Sequence, residues 1–195
     1  MNQNGPLVVT PPVAAAVKLD VAKAYCLITG TKDDALVGNL VSAATDYVQR
    51  RTGQQLAIAT LKQTWDDFVL ELILDIDPVQ SVSSVKYYDA AGTLTTISPT
   101  NYWVDTEARR PRIFPRPGFS WPQVQSDRPA AVQVAYVAGY SVAATIPQGL
   151  IVAILTLVKH WYVNRIPVLT TGIGSQPISH GLDALLCLHD HTGYN

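Results

Sequence analysis

The residue types best suited to chemistry in this chain are histidines near its C-terminus. His180, His189 and His191 lie there beside Asp183 and Asp190. Histidine and carboxylate side chains bind zinc and similar metals when several of them converge on one point. His189 and His191 share a side only if their segment is extended, so solvated side chains at a chain end are the simpler interpretation. The sequence therefore predicts no metal site and no cofactor.

Pairs of neighbouring acids are the second candidate, because two carboxylates can act as general acid and base. One pair begins a predicted helix, one is split across the two faces of a predicted strand, and one precedes a proline turn. These pairs are Asp33/Asp34, Asp66/Asp67 and Asp75/Asp77. The chain has no G-x-S-x-G elbow, and Gly172–Ser175 lacks the lysine of a phosphate-binding loop. No catalytic residue is predicted, and the protein is not expected to be an enzyme.

Arginines form the one local basic cluster of the chain. They are Arg109, Arg110, Arg112 and Arg116, interleaved with prolines and Phe114. Arginine with aromatic side chains can follow a nucleic-acid backbone, but four such charges on a chain of net charge −1 cannot give strong affinity for DNA. The cluster is a solvated loop, a contact to acids of a neighbouring subunit, or a weak lining for passing DNA.

Composition indicates a folded protein that is poor in charge. The 195 residues are 48% hydrophobic and 15% charged, whereas an average soluble domain has roughly 25% charged residues. Such a surface fits either a protein hidden against partners or copies of itself, or a compact Ala/Val/Thr-rich protein. The apolar stretch Gly149–Val158 is about half as long as a bilayer-spanning helix, so no membrane association is expected. Cys26 and Cys187 are too far apart in sequence for a metal motif and are predicted to be buried, reduced thiols.

Apolar residues at helical spacing predict four helices, near residues 19–29, 33–52, 147–164 and 181–189. The second is the clearest, because Thr31 and Asp34 have capping-box spacing and Gly53 follows as a C-terminal cap. Gly30 is expected to end the first helix.

Between the helices, at about residues 55–140, the pattern changes to the two-residue period of strands. The clearest strand is Ala131–Val137, and Asp89–Gly92 is a hairpin turn. The predicted fold class is α+β, a small helical bundle with an antiparallel β-sheet insertion. We expect a single domain made of a helical core, a β insertion and two mobile arms. The core is 17–53 plus 147–190, the insertion is 54–146, and the arms are the proline-containing 1–16 and the C-terminal 165–195.

Short motifs follow one another in a distinctive order over most of the chain. They are Leu19–Gly30, Lys32–Asp34, Ala43–Gly53, Pro78–Asp89 with Gly92, Tyr102–Asp105, Trp121-Pro122, Val132–Tyr140, and Pro147 to Arg165. This ordered set resembles the phage head–tail connector (adaptor) family, in the subgroup with a β insertion between helices. Ile166 departs from the family pattern, which has an acid after the arginine.

The resemblance implies a structural protein of the virion of a tailed phage or prophage, made in the host cytoplasm and located at the head–tail junction. Copies would form a ring, typically a dodecamer, under the portal protein. The ring would extend the channel for double-stranded DNA without binding it sequence-specifically, and would dock a head-completion (stopper) or tail protein. Arg109, Arg110, Arg112 and Arg116 are then candidate channel or intersubunit contacts. Leu182, Leu185, Leu186 and Leu188 are candidate portal contacts.

Two alternatives belong to other classes of protein. A monomeric β-rich module could bind carbohydrate or peptide with Tyr102, Trp103 and Trp121 as a stacking platform. A hydrolase with scattered active-site residues would show a perturbed pair of carboxylates in a deep pocket, and the sequence gives it no positive sign.

Overall fold

The computed structural model describes residues 3–108, 110–142, 145–164 and 179–190. The described helices are α1 (Leu19–Cys26), α2 (Asp34–Thr52), α3 (Gln148–Val163) and α4 (Ser179–Cys187). The described strands are β1 (Gln3–Thr10), β2 (Ala59–Trp65), β3 (Leu72–Ile73), β4 (Val79–Tyr88), β5 (Leu94–Ile97), β6 (Tyr102–Asp105), β7 (Arg112–Pro115) and β8 (Val132–Ala138). The predicted α+β class is confirmed.

The chain divides into two compact units. The β unit comprises Met1–Val13 and Ala57–Tyr140, and the helical unit comprises Ala14–Leu56 and Ser141–Asn195. The predicted organisation as a single domain stays a prediction. No helix within the described ranges is long and apolar enough to cross a membrane.

The described residues of the β unit form two antiparallel sheets. Five strands form one sheet in the order β1-β2-β8-β4-β5, and three form the other in the order β3-β7-β6. The predicted alternation along the last strand is confirmed, because Val132, Val134 and Tyr136 are fully buried in the core. The predicted hairpin turn is also present: the Asp89 carboxylate accepts hydrogen bonds from the N–H groups of Ala91 and Thr93, and Gly92 has φ 78°.

Part of the predicted mobile arm, residues 1–16, forms a strand instead. Gln3–Thr10 is β1, an outer strand paired with β2. Pro6 lies in an irregularity of the pairing between Asn4 and Leu7, so its missing N–H interrupts no regular pair. Pro11 and Pro12 follow the strand, which explains why prolines in this segment are compatible with a sheet.

The start of α2 is held by tertiary contacts rather than by a capping box, so that prediction is wrong. Asp33 is the N-cap residue, but its side chain makes no capping hydrogen bond. Instead it accepts a hydrogen bond from the Tyr162 hydroxyl of α3 at 2.7 Å, and Asp34 forms a 2.5 Å ion pair with Lys23 of α1. The acid pair therefore joins three helices of the helical unit. Gly53 does cap α2, with φ 69° and its N–H bonded to the Gln49 carbonyl.

Helix α1 ends earlier than predicted. Leu27 takes the left-handed conformation (φ 59°), and the N–H groups of Leu27 and Ile28 bond to the carbonyls of Ala24 and Lys23. The helix thus ends before Gly30, which has φ 79° in the following turn.

Helix α4 packs within the helical unit, so the predicted mobile arm over residues 165–195 is corrected for residues 179–190 only. Leu182 and Leu186 are buried. The Gln54 amide donates to the His189 carbonyl at 2.9 Å, and Arg51 forms a 3.0 Å ion pair with Asp190. Residues 179–190 are therefore held against the unit by apolar and polar contacts. The rest of that predicted arm, 165–178 and 191–195, lies outside the described residues.

Candidate functional site

The predicted basic cluster lies on the three-stranded sheet, where Arg112 begins β7. Its guanidinium contacts two acids, Glu71 Oε2 at 3.1 Å from Nη1 and Asp105 Oδ2 at 3.2 Å from Nε. The hydrogen bond to Glu71, followed by that to Asp105, raises the pKa of Arg112. The Asp105 pKa is lowered, first by the N–H of Ala108 and then by Arg112. Arg112 therefore holds β6 and the segment before β3 to β7 by charge.

Arg110 takes part in a second polar group that reaches into the core of the β unit. Its Nη2 lies 2.8 Å from Asp75 Oδ1. Asp75 also accepts a hydrogen bond from the amide of Gln63, which is fully buried in β2. The Tyr136 hydroxyl donates to the same amide group at 3.4 Å, and burial raises the pKa of Tyr136. This network satisfies a buried polar side chain that an apolar core would otherwise destabilise.

Arg116 is held by a carbonyl and an aromatic ring. Its Nε donates to the Tyr102 carbonyl at 3.3 Å, and its guanidinium carbon lies 5.5 Å from the centre of the Trp103 ring. Arg109, the remaining member of the predicted cluster, lies outside the described residues.

The contacts of the described arginines change the interpretation of the cluster. Arg110 and Arg112 have acids of their own chain as partners, namely Asp75, Glu71 and Asp105. Two positive charges thus face three negative ones, and the local field is not strongly basic. The predicted channel and intersubunit contacts stay predictions, but the geometry favours a structural role for these two side chains.

The four leucines predicted to contact the portal differ in exposure. Leu182 and Leu186 are buried, Leu185 is half-buried, and Leu188 is 80% exposed. The two buried leucines are already engaged within the helical unit. The portal contact stays a prediction, and among the four Leu188 is best placed for it.

Tyr102, Trp103 and Trp121 do not form the stacking platform of the alternative hypothesis. Tyr102 is buried, and its burial raises the pKa of the phenol. Trp121 stacks on Phe68 with ring centres 4.7 Å apart and planes 6° from parallel. Trp103 is exposed, but one exposed ring does not make a platform. These aromatic side chains pack within the β unit.

The acid pairs and histidines do not converge into a site where the structure describes them. No group of three or more His, Cys, Asp or Glu side chains in the described ranges is placed to hold a metal ion. Asp66 follows β2 rather than lying within it, which corrects the expected split of Asp66 and Asp67 across a strand. Both carboxylates accept backbone N–H groups, from Ala130 and Phe68 respectively. The His180 side chain and His191 lie outside the described residues.

Comparison with known proteins gives a family match for part of the sequence and a structural match for the fold. Residues 16–96 match the family of phage gp6-like head-tail connector proteins. No curated protein matches the sequence.

Solved structures of gene transfer agent particles share the fold over nearly the whole chain. A chain of the virion of the native particle has a TM-score of 0.74 and 21% identity, covering 95% of this chain and 94% of that one. A chain of the native neck, computed with C12 symmetry, has a TM-score of 0.73 and 22% identity, covering 97% and 95%. A chain of the neck of the empty particle, computed with C6 symmetry, has a TM-score of 0.70 and 23% identity, again covering 97% and 95%.

The family match includes α1, α2 and the strands from β2 into β5. It contains the motifs from Leu19 to Gly92 on which the resemblance was based. The resemblance is therefore confirmed: over residues 16–96 the chain is similar to the phage gp6-like head-tail connector family.

Proposed function

We propose that this protein is a structural connector of the head–tail junction, assembling as a ring beneath the portal of a tailed phage, a prophage or a phage-derived particle. The family match over residues 16–96 carries the proposal. The full-length likeness to neck chains of a gene transfer agent supports it, and the C12 and C6 symmetries of those necks favour a ring of twelve copies.

The surface chemistry of the chain is consistent with assembly. A closed ring needs a contact between two different patches of each subunit. Large apolar side chains are exposed in both units, and 15% charged residues leave few charges to desolvate on contact. The exposed set includes Leu7, Val8, Val9, Leu70 and Trp103 in the β unit and Val21, Tyr25, Leu36 and Tyr47 in the helical unit.

The ring has three further partners in this proposal. The portal protein binds on one side, with Leu188 in the contact, and a head-completion or tail protein binds on the other. Double-stranded DNA passes through the channel. Since Arg110 and Arg112 are paired with acids, they would not hold phosphates tightly if they lined that channel. The protein is made in the host cytoplasm and has no reaction to catalyse.

Electron cryo-microscopy of the purified protein mixed with purified portal rings tests the proposal. We expect an added ring of density on one face of the portal, with both units of each copy resolved in a reconstruction made without imposed symmetry. Portal rings alone are the control. Portal particles that stay unchanged at saturating protein would contradict the proposed function.

A further inference from the structure

The outer edge of β1 lacks the charged side chains that soluble proteins often place on an edge strand. β1 and β5 are the outer strands of the five-stranded sheet in the part of the chain that the structure describes. An outer strand leaves unpaired N–H and C=O groups, which charged side chains, prolines or bulges normally shield. Gln3–Thr10 has no charged residue, and its shielding consists of Pro6 and two irregularities in the pairing with β2. The second irregularity, between Val8 and Thr10, lies within Leu7–Thr10, but this stretch has no charged residue and no proline to keep another strand away.

Apolar side chains of β1 are exposed on both faces of the strand. Leu7, Val8 and Val9 are 66%, 49% and 57% exposed. Val8 lies opposite Leu61, whose side chain is in the core, whereas Leu7 lies opposite Lys62 on the other face. Packing inside the β unit thus does not account for this apolar strand, and a second surface is needed to cover it.

We propose that the outer edge of β1 binds the outer edge of β5 in the next copy of this chain. This inference rests on the ring of the proposed function. β5 is the outer strand on the opposite side of the same sheet. Its Leu94 is exposed, and residues 90–102 contain no charged side chain. Two uncharged edges can approach without desolvating an ion or opposing like charges.

The positions of the two edges suit a ring rather than a dimer. A contact between β1 of one copy and β5 of the next leaves a β5 and a β1 free at the two ends of the pair. Further copies therefore add head to tail until the ring closes. Pairing of β1 with β1 would instead close a two-fold dimer. The contact itself is addition of a strand to a sheet edge, in which main-chain hydrogen bonds supply the attraction.

Cysteine cross-linking between copies tests this contact. In a full-length background with Cys26→Ala and Cys187→Ser, one cysteine is placed within Leu7–Val9 and one within Leu94–Thr96, over all nine combinations. Rings assembled on purified portal are oxidised and separated without reductant. A disulfide requires Cβ atoms about 3.5–4.5 Å apart, so we expect a ladder of covalent multimers for the combinations in register. Single-cysteine variants should stay monomeric in the denaturing gel.

Two cross-linking results would overturn the inference. Assembled rings that give no ladder with any combination would show that the edges do not meet. Covalent dimers from a single cysteine within Leu7–Val9 would show β1–β1 pairing instead.

Charge substitution provides a second test. Leu7→Lys with Val9→Lys places two charges on an exposed strand, so the fold should persist by circular dichroism while the ring population falls by about tenfold or more at equal concentration. Val13→Lys is the matched control, since Val13 is apolar and fully exposed but lies outside β1. Rings of the double variant at the wild-type level would overturn the inference and leave the connector function standing. A wild-type protein that forms no ring on portal would instead contradict the proposed function.

Discussion

A Cβ atom on Gly139 would lie 2.6 Å from both the carbonyl carbon and the carbonyl oxygen of Ala57. Gly139 also has φ +117°, a conformation that side chains of L-residues strongly disfavour. Its neighbour Tyr140 forms a β-bridge with Ala57, so the backbones before β2 and after β8 must approach closely here. The close approach of these two backbones therefore explains why the Ala138-Gly139-Tyr140 motif has glycine in the middle.

Gly139→Ala should therefore destabilise the protein. The disfavoured φ and the backbone clash together are expected to lower the free energy of unfolding by more than about 2 kcal/mol. Urea unfolding followed by circular dichroism measures the change. Gly38→Ala is the control, because Gly38 is exposed in α2 with no atom near its Cβ position. That variant should gain about 0.5–1 kcal/mol. Equal stability of Gly139→Ala and the wild type would contradict the steric explanation.

The Asp105 contacts predict a dependence of stability on pH. Because the folded protein lowers the pKa of Asp105 from its ordinary value of 3.8, the unfolded chain binds more protons in this range. The contribution of Asp105 is therefore present above the unfolded pKa and is lost as the pH falls through the folded pKa. Unfolding of wild type and Asp105→Asn should differ by a constant amount from about pH 5 to 7, and the difference should shrink toward pH 3. A stability difference between the two proteins that grows as the pH falls would contradict this prediction.

Substitutions of Leu186 and Leu188 should distinguish an effect on folding from an effect on portal binding. Leu186 is 1% exposed, so Leu186→Ala should lower the free energy of unfolding by about 2–5 kcal/mol. Leu188→Ala should change stability by less than about 0.5 kcal/mol, because the side chain is exposed. In the proposed function Leu188→Asp weakens binding to portal without unfolding the protein, as measured by surface plasmon resonance. Unchanged portal affinity of Leu188→Asp would remove this side chain from the contact.

Pairing of Arg110 and Arg112 with acids predicts weak binding of DNA by the isolated protein. At about 0.15 M salt the dissociation constant for a duplex should be no tighter than about 10⁻⁴ M, with a shallow dependence on salt. Fluorescence anisotropy of a labelled duplex at several salt concentrations measures both quantities. Micromolar affinity with a steep salt dependence would show that the cluster is a phosphate-binding surface after all.

Elements with strong local signals could be predicted from the sequence. α2 follows from apolar residues at helical spacing and Gly53, and β8 follows from alternation that places Val132, Val134 and Tyr136 on one face. β1 could not be predicted in this way, because Leu7, Val8 and Val9 are consecutive rather than alternating and prolines surround them. Only its pairing with β2 makes it a strand.

The partners of charged side chains in ion pairs and hydrogen bonds could not be predicted from the sequence. Glu71 and Arg112 are 41 residues apart and Asp75 and Arg110 are 35 apart, so their ion pairs depend on how β3 and β7 meet. Local reasoning likewise assigned Asp33 and Asp34 to capping, whereas their partners come from α3 and α1. These partners are distant in sequence, so local sequence patterns do not reveal them.

Native mass spectrometry of the purified protein, with and without purified portal rings, tests the central claim most directly. Each copy contributes 21.1 kDa, so the number of copies bound to a portal ring can be read from the mass. The connector account predicts a complex in which a full ring of copies, about twelve, adds to one portal. A protein that stays at 21.1 kDa and leaves the mass of the portal unchanged would contradict it.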